Sequence, residues 1–133
     1  MYGFSTRLTG NLEEIEQQLT EALKAEGFGI LTEIDVQATL KNKLGIERAP
    51  YRILGACNPP LAHRALEADP DIGLLLPCNV VIREEPDGSI CVAFMDPQAV
   101  LGLVQGEAVV ELADEVRTRL LRVREQLGGT LTG

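Results

Sequence analysis

Aromatic side chains are scarce in this chain of 133 residues, which has no tryptophan, three phenylalanines and two tyrosines. A core with so few rings must be built from leucine, isoleucine, valine and alanine. Hydrophobic residues still make up 45% of the sequence and charged residues 24%, which is an ordinary globular composition and excludes a disordered chain. The length predicts one domain over residues 1–133, large enough to bury a core.

Cysteine is also rare, and the number present is odd. Three cysteines cannot all pair, which argues against a disulfide framework and is typical of a reducing compartment. The N-terminal residues lack the basic stretch followed by an apolar run that marks a secretory signal. No apolar run approaches the roughly 20 residues that a membrane-spanning helix needs. We therefore expect a soluble protein of the cytoplasm with no membrane partner.

Positive charge is in short supply, because 12 lysines and arginines stand against 20 aspartates and glutamates, for a formal net charge of -8. Nucleic-acid binding needs a basic patch that neutralises phosphates. The densest basic segments, around Lys41 and from Arg117 to Arg124, lie among acidic residues. The sequence therefore predicts neither a nucleic-acid partner nor binding to an anionic membrane surface.

Strand and helix patterns alternate along the chain in the order β-α-β-α-β-α-β-β-α. The apolar run within Tyr51–Cys57 predicts a central strand, and residues 86–89 predict a hairpin turn. Apolar residues spaced by three and four over residues 109–127 predict a long amphipathic helix. Two glycines end that helix, and residues 130–133 are expected to be a frayed tail. This order favours an α+β fold, a two-layer sandwich with helices packed on a mixed or mainly antiparallel sheet.

Two tripeptides combine a thiol, an amide and a proline: Cys57-Asn58-Pro59 and Pro77-Cys78-Asn79. Asn58 is a candidate N-cap followed by proline at the first helical position. The dipole and free N–H groups of such a helix start favour a thiolate or a bound anion. Cys57 and Cys78 are therefore the candidate catalytic residues, although both could simply be small buried residues at strand ends. The sequence leaves open whether the two thiols lie close together. The candidate ligand-binding residues are Cys57, Asn58, Pro59, Pro77, Cys78 and Asn79.

Other polar residues favour structural roles. His63 is the single histidine and could pair with a cysteine or contribute to a soft-metal site, but its helical phase favours an exposed position. Cys91 alternates with apolar neighbours and is expected in the core. Asp96 is a predicted N-cap, and Glu33 and Asp35 are predicted surface charges. No metal-binding or phosphate-binding motif is present, so the sequence predicts no metal and no cofactor.

The motifs resemble the family called domain of unknown function 302. The resemblance rests on residues 53–59 and 73–80, which contain the two tripeptides, together with residues 31–36 and the pair Asp96-Pro97. It covers the chain from Thr6 to about residue 127. The resemblance implies a compact two-layer α/β domain that self-associates, and some relatives join this domain to sulfur-handling modules. The family has no established reaction, so the resemblance supports the fold and the thiol site but supplies no substrate.

Three functions are compatible with these residues. The sequence favours a homodimeric small-ligand-binding module with a paired-thiol pocket, because no complete catalytic set accompanies the thiols. The alternative is a thiol-dependent redox or sulfur-handling enzyme or carrier that uses Cys57, with Asn58 and helix N–H groups stabilising negative charge. The third is a purely structural role in which the C-terminal helix forms an interface through exposed residues such as Leu112 and Leu121. Whether any reaction is catalysed stays open.

Overall fold

A computed structural model describes residues 1–132 of the chain. Over this part, strands and helices alternate before a hairpin and two consecutive helices. The elements are β1 (Gly3–Leu8), α1 (Leu12–Ala25), β2 (Gly29–Asp35), α2 (Val36–Leu44), β3 (Tyr51–Cys57), α3 (Pro59–Ala68), a 3₁₀ helix (Pro70–Leu75), β4 (Cys78–Glu84), β5 (Ile90–Met95), α4 (Pro97–Leu101), α5 (Glu107–Leu127) and β6 (Thr130–Thr132).

The strands form one antiparallel sheet in the order β2-β3-β4-β5-β1-β6. Helices pack on one face of this sheet, which confirms the α+β sandwich expected from the sequence. β3 lies inside the sheet between β2 and β4, as its apolar run predicts. No helix within residues 1–132 is long and apolar enough to cross a bilayer.

The core lies between the sheet and the helices α1, α3 and α5. Leu54, Val80, Phe94 and Phe4 pair in register and form one buried row across four strands. Alternation along each strand places these side chains on the helix-facing side. Buried leucines of α1 and α5 pack against the same cluster, and Leu120 of α5 is fully buried. The core is therefore aliphatic, with two phenylalanine rings stacked 5.6 Å apart at its centre.

Side-chain caps begin several helices where the sequence predicts them. Oδ1 of Asn11 accepts the N–H of Glu14 at 2.8 Å, and Oδ1 of Asp96 accepts the N–H of Gln98 at 2.9 Å. Asp35 caps α2 in the same way, so this residue has a structural role beyond that of a surface charge. These bonds satisfy N–H groups that have no partner inside a helix.

The C-terminal residues differ from expectation. Thr130–Thr132 forms β6, which pairs with β1, where the sequence predicts a frayed tail, and Gly133 lies outside the described residues. The reversal that brings β6 back to the sheet depends on Gly128 and Gly129, whose φ angles are 74° and 82°. The hydroxyl of Thr6 on β1 donates a hydrogen bond to the main-chain oxygen of Gly128. The 3₁₀ helix Pro70–Leu75 lies in a segment for most of which the sequence predicts no particular state.

The edge strand β2 and the following helix α2 are exposed. A register shift between Ile30 and Thr32 leaves Leu31 unpaired, with 67% of its surface accessible. Such a bulge changes which side chains face outward along a strand. α2 has no buried residue. The bulge places an apolar side chain beside the cavity described below.

Replacing Leu120 with alanine tests the assigned core. Because Leu120 is fully buried, Leu120→Ala is expected to lower the free energy of unfolding by about 2–5 kcal/mol. Leu103→Ala is the matched control, since Leu103 is 77% exposed and its truncation should change stability by less than about 0.5 kcal/mol. Urea unfolding followed by circular dichroism measures both, and equal losses would contradict the assignment.

Candidate ligand-binding site

A cavity of about 370 Å³, here called the β3–α3 cavity, lies where β3 ends and β4 begins. Segments distant in sequence meet there: the turn after α1, the bulge of β2, α3, the residues that precede β4, the end of α4 and the first half of α5. Its wall is almost entirely apolar. The buried residues of the floor are Phe28, Leu61, Ala65, Leu101, Leu112 and Val116.

Cys57 and Cys78 both line this cavity. Cys57 is the last residue of β3 and Cys78 is the first residue of β4. Ala56 pairs with Cys78 across the ladder, so the two cysteines are one register step apart. Both are free thiols; Cys78 is buried and Cys57 is half-buried. The fold therefore brings the two predicted thiols to one cavity.

The cavity wall continues over Gly55 of β3. A Cβ atom at this position would lie 2.8 Å from Cγ of Pro77 and would also collide with Oγ1 of Thr32. The absence of a side chain lets both residues close over the strand. Thr32 and Pro77 line the cavity as a result. The sequence marks Pro77 as a candidate but gives no signal for Thr32, because the contact depends on the pairing of β2 with β3.

Hydrogen bonds from both polar atoms of its side-chain amide hold Asn58 in place. Its Oδ1 accepts the N–H of Leu61 at 3.3 Å, and its Nδ2 donates to the main-chain oxygen of Glu26 at 3.3 Å. The guanidinium of Arg119 donates to the same oxygen at 2.9 Å. Asn58 is therefore the N-cap of α3, as predicted, and also a link between three helices.

The start of α3 has no unpaired N–H group, contrary to the expectation from the sequence. Pro59 and Pro60 occupy the first two helical positions and carry no N–H. The N–H of Leu61 is bonded to the Asn58 side chain, and that of Ala62 is bonded to the Asn58 carbonyl at 2.8 Å. The expected donors for a thiolate or an anion are therefore absent from residues 59–62.

Burial raises the pKa of the Cys78 thiol to about 11, and the nearby Cys57 thiol contributes a smaller effect in the same direction. Removal from water disfavours the charged form of a thiol. Cys78 is consequently protonated at neutral pH. A protonated thiol is a weak nucleophile, so Cys78 resembles a wall residue more than a reactive group.

Two predicted site residues do not line the cavity. Pro59 is exposed, and its contribution is the missing N–H group. Asn79 is exposed on the opposite face of the sheet and borders a groove there. Four of the six candidates, Cys57, Asn58, Pro77 and Cys78, do line it.

The remaining candidates lie outside the cavity. His63 is exposed on α3 and is not part of the wall. Cys91 is buried as predicted, but it pairs with Arg7 and Arg83 on the face away from the helices. Leu112, expected to be exposed, is 3% exposed and belongs to the floor of the cavity. Among the described residues, no group of three histidines, cysteines or carboxylates is placed to hold a metal ion.

Comparison with known proteins assigns the chain to a protein family. The family model described as Domain of unknown function DUF302 matches residues 4–127. The chain belongs to this family. The crystal structure of the uncharacterized conserved protein DUF302 from Bacillus stearothermophilus superimposes with a TM-score of 0.89 at 29% identity, covering 96% of this chain and 99% of that one. No protein with a curated description matches the chain. The DUF302 assignment confirms the resemblance seen in the sequence, and the superposition confirms the fold.

The raised pKa of Cys78 predicts a pH dependence of stability. The folded thiol keeps its proton up to about pH 11, whereas the unfolded thiol releases it near 9.0. The stabilisation is thus complete below pH 9 and is lost as the pH rises towards 11. The difference in unfolding free energy between the wild type and Cys78→Ala should shrink by about 2 kcal/mol over this range. Urea unfolding at several pH values measures it, and parallel curves would contradict the burial of this thiol.

Proposed function

We propose that this DUF302 domain is a small-ligand-binding module whose ligand occupies the β3–α3 cavity beside Cys57 and Cys78. The observation that carries the proposal is an apolar cavity of about 370 Å³ framed by a few polar groups. Ligand sites are typically concave, mostly apolar and about 300–1,000 Å³ in volume. Because one water molecule occupies about 30 Å³ in the liquid, the volume of this cavity corresponds to about a dozen water-sized groups.

The construction of the wall supports a binding role. The polar side chains at the cavity are Thr32, Cys57, Asn58 and Cys78, at the end where β3 meets α3. Asn58 is fixed by its bonds to Leu61 and Glu26, so its position is set before any ligand arrives. A few oriented polar groups within an apolar wall give a small-molecule site its specificity.

A thiol-dependent redox or sulfur-handling activity through Cys57 has less support. The helix start beside Cys57 has two prolines and a filled cap in place of free N–H donors. The second thiol, Cys78, is buried and protonated at neutral pH because its pKa is raised. Stabilisation of a developing anion needs donors aimed at the charge, and neither feature supplies one.

We further propose that the module is a homodimer formed through the outward face of the sheet. This open face consists of the outward positions of β3, β4, β5 and β1, including Ile53, Val81, Ala93 and Met95. None of these outward positions, all within the described residues, carries an aspartate or glutamate, although the chain has 20 of them. Two copies with a net charge of -8 repel least through a face without carboxylates, and the charged outward positions, Arg7 and Arg83, carry a residue type that is enriched at interfaces.

Filling the cavity tests the binding role. N-phenyl-1-naphthylamine is an uncharged probe whose fluorescence rises in apolar surroundings, and we expect the wild type to bind it. Ala62 is half-buried and lines the cavity, so Ala62→Phe should weaken binding by at least about tenfold. Ala68→Phe is the matched control on the same helix, because Ala68 is exposed and outside the wall. The proposal would be contradicted if the wild type did not bind the probe, or if both variants bound it with equal affinity.

A charge on the open face tests the dimer. Ala93 pairs with Val81 and Ser5 at the centre of this face. Light scattering during size exclusion should give the wild type twice the chain mass, and Ala93→Glu should give a single chain mass with an unchanged circular dichroism spectrum. Ala68→Glu on α3 is the control and should leave the dimer intact. A monomeric wild type at micromolar concentration would contradict this interface.

A further inference from the structure

The wall of the β3–α3 cavity carries no charged side chain among the described residues. None of the lining residues is an aspartate, glutamate, lysine, arginine or histidine, in a chain that is 24% charged. A charged ligand atom buried here would have no ionic partner, and an unpaired buried charge is strongly unfavourable. The composition of the wall therefore selects against ions of either sign.

The start of α3, which borders the cavity, offers an anion no main-chain site either. Pro59 and Pro60 lack N–H groups, and the next two N–H groups of α3 are bonded to Asn58. Helix starts bind phosphates and carboxylates through such N–H groups. The start of α3 borders the cavity, but its first two residues have no N–H group and the next two N–H groups are already hydrogen-bonded.

The charged side chains behind Asn58 are paired with one another. Arg119 bonds Glu115 at 3.1 Å, and Arg64 bonds the same carboxylate at 3.2 Å. Arg122 bonds Glu26 at 2.9 Å. These ion pairs join α1, α3 and α5 outside the wall of the cavity. Their charges are neutralised locally and are not available to a ligand.

The mouth of the cavity is apolar as well. Leu31 on the bulge of β2 is 67% exposed and Leu66 on α3 is 46% exposed, and both line the cavity. Gly73 of the 3₁₀ helix lines it too, and the adjacent Leu74 is 87% exposed. Exposed leucines at a cavity mouth offer apolar contact to a ligand before it is fully buried.

We infer that the ligand of this cavity is an uncharged, predominantly apolar molecule that enters between Leu31 and Leu66. This inference rests on the proposed binding function and adds the chemical class of the ligand. A single neutral polar group, such as a hydroxyl or carbonyl, fits the end at Thr32 and Cys57, where the polar side chains of the wall are located. Carboxylates, phosphates and ammonium compounds of similar size are excluded by the uncharged wall.

Two matched pairs of probes test the ligand class. N-phenyl-1-naphthylamine and 8-anilino-1-naphthalenesulfonate share one ring system, but the second carries a sulfonate. Decan-1-ol and decanoate share a chain length, but decanoate is ionised at pH 7.5. We expect the uncharged member of each pair to bind at least about tenfold more tightly, because its partner must bring a charge against a wall and a mouth that supply no ionic partner. Decan-1-ol and decanoate are compared by displacement of the bound amine from the wild type.

A substitution at the mouth of the cavity provides a second test of the ligand class. Leu66→Lys places a cation at the mouth on an exposed position, so it should bring the affinity for decanoate to within about twofold of that for decan-1-ol. Leu131→Lys is the control, because Leu131 is exposed on β6 away from the cavity. Equal binding of charged and uncharged probes by the wild type overturns the ligand class but leaves the binding function intact. Failure of every probe to bind overturns the binding function itself.

Discussion

The main-chain oxygen of Glu26 accepts hydrogen bonds from Nδ2 of Asn58 at 3.3 Å and from the Arg119 guanidinium at 2.9 Å. Carbonyl groups at a helix C-terminus lack partners within the helix, so this oxygen needs donors from elsewhere. Asn58 ties the start of α3 to the end of α1, and Arg119 ties α5 to the same point. Cys57 directly precedes Asn58, and both α3 and α5 supply the floor of the cavity. The position of the thiol and the shape of the cavity therefore both depend on this contact.

The other end of the Asn58 side chain, which caps α3, bears on which chemistry the cavity can support. Asn58 satisfies the start of α3 from within the protein, and Pro59 and Pro60 remove the donors that would otherwise face the cavity. A cysteine before a helix start is usually associated with a stabilised thiolate. Here the local sequence that places Cys57 at a helix start also withdraws the groups that would stabilise its charge. The surroundings are consequently better matched to a neutral molecule than to an ionic intermediate.

Local signals in the sequence predict most of the elements. Caps at Asn11, Asn58 and Asp96 and the alternation of apolar residues in β3 act between near neighbours, so the helix starts and strands follow from them. β6 is different, because its formation depends on β1 lying beside the reversal at Gly128-Gly129. The pair of thiols is also predictable as motifs. The cavity is not, since Phe28 has the pattern of ordinary core and Leu112 lies outside the predicted apolar stripe of α5, and both become part of a wall only through packing between distant segments.

The distribution of charge links the cavity to the open face. Most carboxylates lie on the helices and turns, where several of them cap helices or pair with arginines, and none occupies an outward position of β1, β3, β4 or β5 or the cavity wall. These two carboxylate-free surfaces meet at one corner, because Cys57 occupies an outward position of β3 and also lines the cavity. A second copy covering the open face would lie against this corner and reduce its access to water. Burial of this corner in the proposed dimer would raise the cost of placing any charged ligand atom there, so the proposed dimer and the proposed neutral ligand are mutually consistent.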